Sequence, residues 1–331
     1  VQEDHVRQKI TGAVVGVVAA ALFAVAAANA STTGGAESPR TKLTLVAPAA
    51  PGGGWDGFAR EAQRIMRTNT IAGGIQVVNI PGASGTIGLG AVAEMGDRHD
   101  IMMVTGGVMV GGILINNSRV DLTDVTPIAR LADDFNVLVV PADSPYETLE
   151  DFTRALASDP GGTAIAGGSL GGIDHLLAGM LARESGVSPR EVNYIAYPGG
   201  GEVVTSILSH TAKAGLSGYN EFRDQIEAGN IRALAVSAAE PVEGIDVPTF
   251  VEQGVDVAMS NWRGYVAPPG IDDDVKAELI EMLTQMRETP DWEEALTRNS
   301  WVDSFMVGDE FDEFVRTETE RTEQIVKELG L

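Results

Sequence analysis

From Leu43 onward the apolar residues take two patterns in turn, short unbroken runs and stripes spaced three and four apart. Leu43, Leu45 and Val46 form a run that reads as a buried strand. Pro48, Pro51, Gly52, Gly53 and Gly54 then turn the chain, and Trp55, Phe58, Ala59, Ala62, Ile65 and Met66 recur at helical spacing. A strand, a glycine turn and a helix start together aim backbone N–H groups at an anion, because the first four N–H groups of a helix have no internal partner.

The same order repeats along the chain. The pattern predicts strands over 75–80, 101–104, 128–132 and 136–140, and helices over 86–95 and, interrupted by glycine, 108–116. Further helices are expected over 149–158, 173–185, 202–209 and 221–228, alternating with strands over 163–166, 192–196, 212–217 and 231–237. A short helix should end at 250–254, and 257–266 carries the run Trp262-Arg263-Gly264-Tyr265. The charged, amphipathic tail reads as helices over 272–288, 291–299 and 308–329, packed outside a sheet. Strand–helix alternation predicts a parallel sheet with helices on its faces.

At 331 residues and 44% hydrophobic, the chain can fill two α/β cores. With 47 acidic against 23 basic residues the net charge is −24, which excludes a nucleic-acid partner and disfavours an anionic membrane surface. Cysteine is absent, so disulfides, thiolate metal sites and cysteine nucleophiles are excluded. Arg7 and Lys9 precede an apolar run over 13–28, and Ala28-Asn29-Ala30 fits a small-x-small cleavage site. The expectation is a signal peptide over 1–30, an exported mature protein, and a disordered linker over 31–40.

Two glycine motifs suggest enzymes. Gly52-Gly53-Gly54-Trp55-Asp56-Gly57 matches the dinucleotide fingerprint G-x-G-x-x-G, but the next strand ends Val78-Asn79-Ile80 without the acid that binds ribose. Gly167-Gly168-Ser169-Leu170-Gly171 matches the nucleophile elbow G-x-S-x-G, which leaves a secreted serine hydrolase using Ser169 as the alternative. Only His175 and His210 follow Ser169, neither near the chain end, and a serine hydroxyl with backbone amides around an anion is the simpler reading. The histidines are scattered and no metal site or cofactor is expected. Asp56 reads as a carboxylate that fixes its own glycine turn.

Seven blocks, taken together, resemble one family: PxxPGGGWD (48–56), NIPGASGTIG (79–88), GGSLGGIDHLLAGML (167–181), AYPGGGE (196–202), GNIRALAV (229–236), DVPTFVEQG (246–254) and WRGYVAPPG (262–270). They resemble the extracytoplasmic solute-binding proteins of tripartite tricarboxylate transporters, the TctC/Bug family. The resemblance implies an α/β type II periplasmic-binding fold, two domains joined by two crossover strands with the ligand cleft between them. Mapped here, domain 1 is 41–135 with 262–331 and domain 2 is 136–261. It implies a monomeric, non-catalytic receptor that passes a small carboxylate to the transporter's membrane permease subunits. Carried over, the ligand contacts are Gly53, Gly54, Trp55 and Asp56, with Ser84, Gly85 and Thr86 beside them, and Gly168, Ser169, Gly200 and Gly201 opposite. Where amino-acid binders of the family carry an acid, this chain has Ser209-His210-Thr211-Ala212-Lys213. Lys213 in the cleft would favour a di- or tricarboxylate such as citrate; Lys213 as a surface residue at a strand start leaves the ligand open.

Overall fold

The computed structural model describes residues 38–331 except Asp97. The expected signal peptide and residues 31–37 of the expected linker lie outside the described residues. Two of the last three linker residues are anchored: Ser38 Oγ donates to Glu278 Oε1 (2.5 Å), and Arg40 Nη1 donates to Gln285 Oε1 (2.9 Å).

The fold starts with β1 (Lys42–Ala47), α1 (Gly54–Thr68), β2 (Gly74–Asn79), α2 (Thr86–Ala93), β3 (Ile101–Gly106) and α3 (Gly107–Ile115). These three strands are parallel, with β1 between β2 and β3. β1 and β3 are covered on both faces, so their sequences are apolar runs without alternation.

β4 (Thr126–Pro141) is a single strand of 16 residues where the sequence pattern predicts two. Asp133 and Asp134 interrupt the apolar run, which makes the sequence look broken there. Both are paired with a cation: Asp133 with Arg130 of the same strand (Nη2–Oδ2, 2.6 Å), Asp134 with Arg263 of a neighbouring strand.

The chain continues through α4 (Leu149–Ser158), β5 (Ile165–Gly167), α5 (Ile173–Glu184), β6 (Tyr194–Ala196), α6 (Gly200–Leu208), β7 (Ala214–Gly218), α7 (Tyr219–Glu227) and β8 (Ile231–Val236). Then come β9 (Ser260–Ala267), α8 (Asp273–Arg287), α9 (Pro290–Asn299), β10 (Val302–Val307) and α10 (Gly308–Leu329). The strand path is β2-β1-β3-β9-β4-β7-β5-β6, with β8 and β10 also paired to β4.

The sheet is mixed, not wholly parallel as the alternation implies. β9 runs antiparallel to both β3 and β4, and β4 runs antiparallel to β7, β8 and β10. β10 goes unseen in the sequence because its half-covered edge position imposes no strong apolar pattern. The short helix expected before Gly254 is instead a capped turn: Thr249 and Glu252 exchange N–H donations to each other's side chains (2.8 and 2.9 Å), and Gly254 at φ 79° ends it.

One hydrophobic cluster draws on residues from Leu43 to Ala132 and again from Trp262 to Val315. Phe58 of α1 stacks on Tyr265 of β9 (centroids 5.6 Å) and meets Trp292 and Trp301 edge-on. Truncating such a fully buried ring costs about 3–5 kcal/mol. Two further clusters pack on the β4–β7 sheet and draw mainly on residues between Val137 and Met259. α10 links them, with Phe311 in the first cluster and Leu329 in the second. No helix among the described residues is long and apolar enough to cross a membrane.

Candidate functional site

Three helices begin at one cavity, each just beyond the carboxyl end of a strand, the usual ligand position in open α/β sheets. In α1 the first internal hydrogen bond runs from Gly57 N–H to the Gly53 carbonyl (3.0 Å), so the N–H groups of Gly54, Trp55 and Asp56 have no helical partner. In α5 the first is Leu176 to Gly172 (3.1 Å), and in α6 Val203 to Gly199 (3.4 Å). The cavity, about 390 Å³, is lined by Gly53, Gly54 and Trp55, by Gly172, Ile173 and Asp174, and by Gly199 and Gly200. That volume suits a small metabolite.

Asp56 braces the first turn. Its carboxylate accepts from Gly52 N–H (2.8 Å), Asn79 Nδ2 (2.8 Å) and Arg60 Nε (2.9 Å). Burial alone would raise its pKa, but the Arg60, Gly52 and Asn79 hydrogen bonds outweigh that and hold it below the usual range. Gly52 sits at φ 83°, where other residues are strained. Asn79, standing where a dinucleotide site needs its acid, is committed to this brace.

Asp174 braces the second turn. It accepts from Gly168 N–H (2.6 Å) and, on its other oxygen, from Asn136 Nδ2. Tyr194 donates its hydroxyl to the Gly168 carbonyl (2.9 Å). Burial pushes the Asp174 pKa up to about 7 against the Gly168 hydrogen bond, with Glu221 and Asp134 adding to the rise. Ser169 lines the cavity, but His175 and His210 do not. His175 accepts at Nδ1 from Gly171 N–H (3.1 Å), and burial lowers its pKa; His210 is exposed beside Asp143 (Nε2–Oδ1, 3.7 Å). Ser169 therefore has no triad partner among the residues lining its cavity.

The two sides meet at Ser84, whose Oγ donates to the Leu170 carbonyl (3.0 Å). Ala83 and Ser84 both take left-handed backbone angles (φ 48° and 54°) in this turn.

The inner wall is Asn136, Ser217, Gly218, Glu221, Asn261 and Arg263. Arg263, the single basic residue among the lining residues described, donates from Nη1 to the Gly54 carbonyl (2.7 Å) and from Nη2 to Asp134. Burial raises the Asp134 pKa to about 6 despite the attraction of Arg263, and Glu221 adds to the rise.

Of the residues the sequence points to, Gly53, Gly54, Trp55, Ser84, Gly85, Gly168, Ser169 and Gly200 line this cavity. Asp56, Thr86, Gly201 and Lys213 do not: Thr86 Oγ1 donates to the Ala83 carbonyl (2.9 Å), Gly201 is exposed, and Lys213 is exposed before β7. Sequence reasoning missed Asn136, Asp174, Glu221, Asn261 and Arg263. A polar residue inside an apolar strand, as at Asn136 and Arg263, is the signal that was available. A broader depression of about 1280 Å³, lined among others by Phe135, Tyr219, Arg223 and Trp301, has none of these three helix starts.

Comparison with known proteins gives the family and the fold. The signature of the tripartite tricarboxylate transporter family receptor, TctC, matches residues 58–331. Protein BugT of Bordetella pertussis is 26% identical over 324 residues, covering 96% of this chain and 97% of BugT. A protein encoded in the tcbD-tcbE intergenic region of Pseudomonas sp. strain P51 is 28% identical over 300 residues, 88% of each chain. Among solved structures, the periplasmic binding protein BugD shares the fold at TM-score 0.80 and 22% identity, covering 88% of this chain and 98% of its own. MatC from Rhodopseudomonas palustris, solved with bound malate, matches at TM-score 0.76 and 22% identity, covering 87% and 99%. A second R. palustris protein, solved with adipate, matches at TM-score 0.81 and 22% identity, covering 89% and 99%.

Proposed function

The chain belongs to the tripartite tricarboxylate transporter receptor family, and we propose that it is an exported, non-catalytic, monomeric receptor that captures a small organic carboxylate and delivers it to a membrane permease. The observation that carries this reading is the meeting of three helix starts at one cavity of ligand size. A carboxylate there is held by N–H groups that lack helical partners and by the positive ends of helix dipoles, without a dedicated cation. Malate in MatC and adipate in its relative belong to the same chemical class. The case for a tricarboxylate such as citrate draws on Lys213 and on the likeness of the blocks GWD (54–56), AGLSGYNEF (214–222) and WRGY (262–265) to the tricarboxylate branch; Lys213 is exposed and outside the cavity, so the reading stops at a small carboxylate.

In this reading the ligand lies between two lobes, 41–135 with 262–331 and 136–261, and β4 and β9 are the strands about which they close. The separation of the hydrophobic clusters supports it. Gly53, Gly54, Trp55 and Ser169 contact the carboxylate.

The test is a thermal-shift and calorimetric screen of succinate, malate, adipate, citrate, glutamate and aspartate. A bound ligand at a hundred times its Kd should stabilise the fold by about 2.7 kcal/mol. No shift from any carboxylate overturns the proposal, and so does ester hydrolysis that disappears in Ser169→Ala.

A further inference from the structure

Acids outnumber cations at the inner wall of the cavity. Asp174 of α5 and Glu221 of α7 line it together with Arg263 of β9. Asp134 of β4 stands directly behind, where a side chain on Gly218 would meet its Oδ2 at 3.0 Å. Arg263 is committed to Asp134 and the Gly54 carbonyl. That leaves Asp174 and Glu221 without a cation among the described lining residues. Asp134 is itself compensated on one side only: it is 2% exposed, and its Oδ1 accepts from no donor. The three acids lie close enough that Glu221 and Asp134 both oppose ionisation of Asp174, and Glu221 opposes that of Asp134.

The other groups packed around Asp174 add no free positive charge. Asn136 of β4 and the Gly168 N–H are neutral donors to it. On α5 itself, His175 accepts at Nδ1 from Gly171 N–H, and burial lowers its pKa. On β6, Tyr194 donates to the Gly168 carbonyl and keeps its proton, because burial and the nearby Asp174 raise its pKa. At the start of α6, Glu202 lies exposed beside Gly199, which adds a further acid.

A bound carboxylate brings one more negative charge to this wall. Ser169, its contact on this side, follows Gly168, the donor to Asp174. Carboxylates crowded into one low-dielectric site cannot all stay ionised, and one of them takes a proton. Of the two acids without a cation, Asp174 is the more deeply buried, at 9% exposure. Glu221 is half-buried, faces the start of α6 at Gly200 and accepts from Ser217, so water, helix dipole and hydroxyl all compensate its charge.

We propose that the receptor takes up one proton on the Asp174 carboxyl as it binds its ligand, so that capture of the carboxylate is coupled to pH. The proposal rests on the carboxylate-receptor reading above and adds a proton to it. The proton comes from solvent through the cavity that Asp174 lines, and one O–H bond forms. Burial, against the Gly168 hydrogen bond, already brings Asp174 up to about 7, and an anion beside it raises it further. Below about pH 6 Asp174 is protonated with or without ligand, and no proton moves. Above about pH 7 the free receptor has released the proton that the bound receptor holds, so affinity falls as pH rises.

The test is calorimetry of succinate, malate, adipate, citrate, glutamate and aspartate from pH 5.5 to pH 8.5. Each is run in paired buffers of low and high ionisation enthalpy, whose difference counts the protons taken up per ligand bound. Near pH 7.5, where the probes' own carboxyl groups are ionised, uptake should be about half to one proton. Binding should weaken by about three- to ten-fold per pH unit above that point, and uptake should be near zero at pH 5.5. Asp174→Asn should abolish the uptake and flatten the pH profile. Should that variant fail to fold, Glu221→Gln removes a charge that opposes ionisation of Asp174 and should move the fall in affinity to lower pH. Binding of any probe without proton uptake overturns the inference and leaves the carboxylate receptor standing. So does uptake that persists in Asp174→Asn, which places the proton on His175 or Glu221, or, where only Glu221→Gln folds, a profile that does not move. Absence of binding by all six probes overturns both.

Discussion

Arg263 and Asp134 form a buried ion pair where β4 and β9 run side by side, their side chains 7% and 3% exposed. The same guanidinium reaches the Gly54 carbonyl at the start of α1. One side chain thus couples the antiparallel strand pair to the first glycine turn of the cavity. Removing it strands a buried carboxylate, which costs about 3–5 kcal/mol, whereas replacing both partners by apolar groups is often close to neutral. Arg263→Met should therefore lower the urea midpoint strongly, and Asp134→Leu/Arg263→Met should recover most of the loss. Ligand affinity should stay reduced in both, because Gly54 has lost its tether. Additive losses in the double variant would show that the pair is not coupled.

Asp56 holds three donors from three parts of the chain, at Gly52, Arg60 and Asn79. Asp56→Ala removes the acceptor of Gly52 N–H and one of the two acceptors of Asn79 Nδ2, which keeps the Ala49 carbonyl (3.0 Å), at about 0.5–1.5 kcal/mol for each lost hydrogen bond. The expected result is lower thermal stability together with weaker carboxylate binding, since the turn presenting Gly53 and Gly54 loses its brace. Asp56→Asn keeps the shape and one acceptor and should fall between. Wild-type stability in Asp56→Ala would mean that the turn is held by its neighbours alone.

Most of this fold is legible along the chain because its strands are buried on both faces and its glycine turns each open a helix. Trp55, Phe58, Ala62 and Ile65 announce α1 by spacing alone, and the structure buries all four. What the sequence conceals are features whose meaning depends on distant partners. Asp134 reads as a break between two strands until Arg263, 129 residues away, is placed beside it. Asp174 reads as an ordinary first-turn acid of a helix until Asn136 reaches it across the sheet. The glycine turns of the site are visible locally; its inner wall is assembled from β4, β9, the end of β7 and the start of α7, and no local pattern records that.

Lys213 tests the difference between reading and geometry. Its side chain is exposed and outside the cavity. Lys213→Ala should leave ligand affinity within about two-fold of wild type and change stability by less than about 0.5 kcal/mol, as for an ordinary surface site. A ten-fold loss of affinity in calorimetry would bring Lys213 back into the ligand's environment.

Asp174 gives stability a pH dependence opposite in sign to that of a salt-bridged acid. Burial raises its pKa to about 7 and that of Asp134 to about 6, whereas an unfolded aspartate titrates near 3.8. Between about pH 4 and pH 7 the folded chain holds protons that the unfolded chain has released, so unfolding free energy falls as pH rises. The stabilisation is complete below the unfolded value and gone once pH exceeds the folded one. Asp174→Asn cannot titrate; it keeps one acceptor for Gly168 and Asn136 but loses the second, which lowers stability by a pH-independent amount. The measurable quantity is the gap between wild type and variant in urea unfolding at pH 5 and pH 8. That gap should narrow by roughly 2–3 kcal/mol on going to pH 8, the span of the shifted titration within that window. Parallel profiles would mean that Asp174 stays ionised in its buried position. Glu221 and Asp134, the two acids that push its pKa upward, would then have to be balanced by a charge placed closer than Arg263.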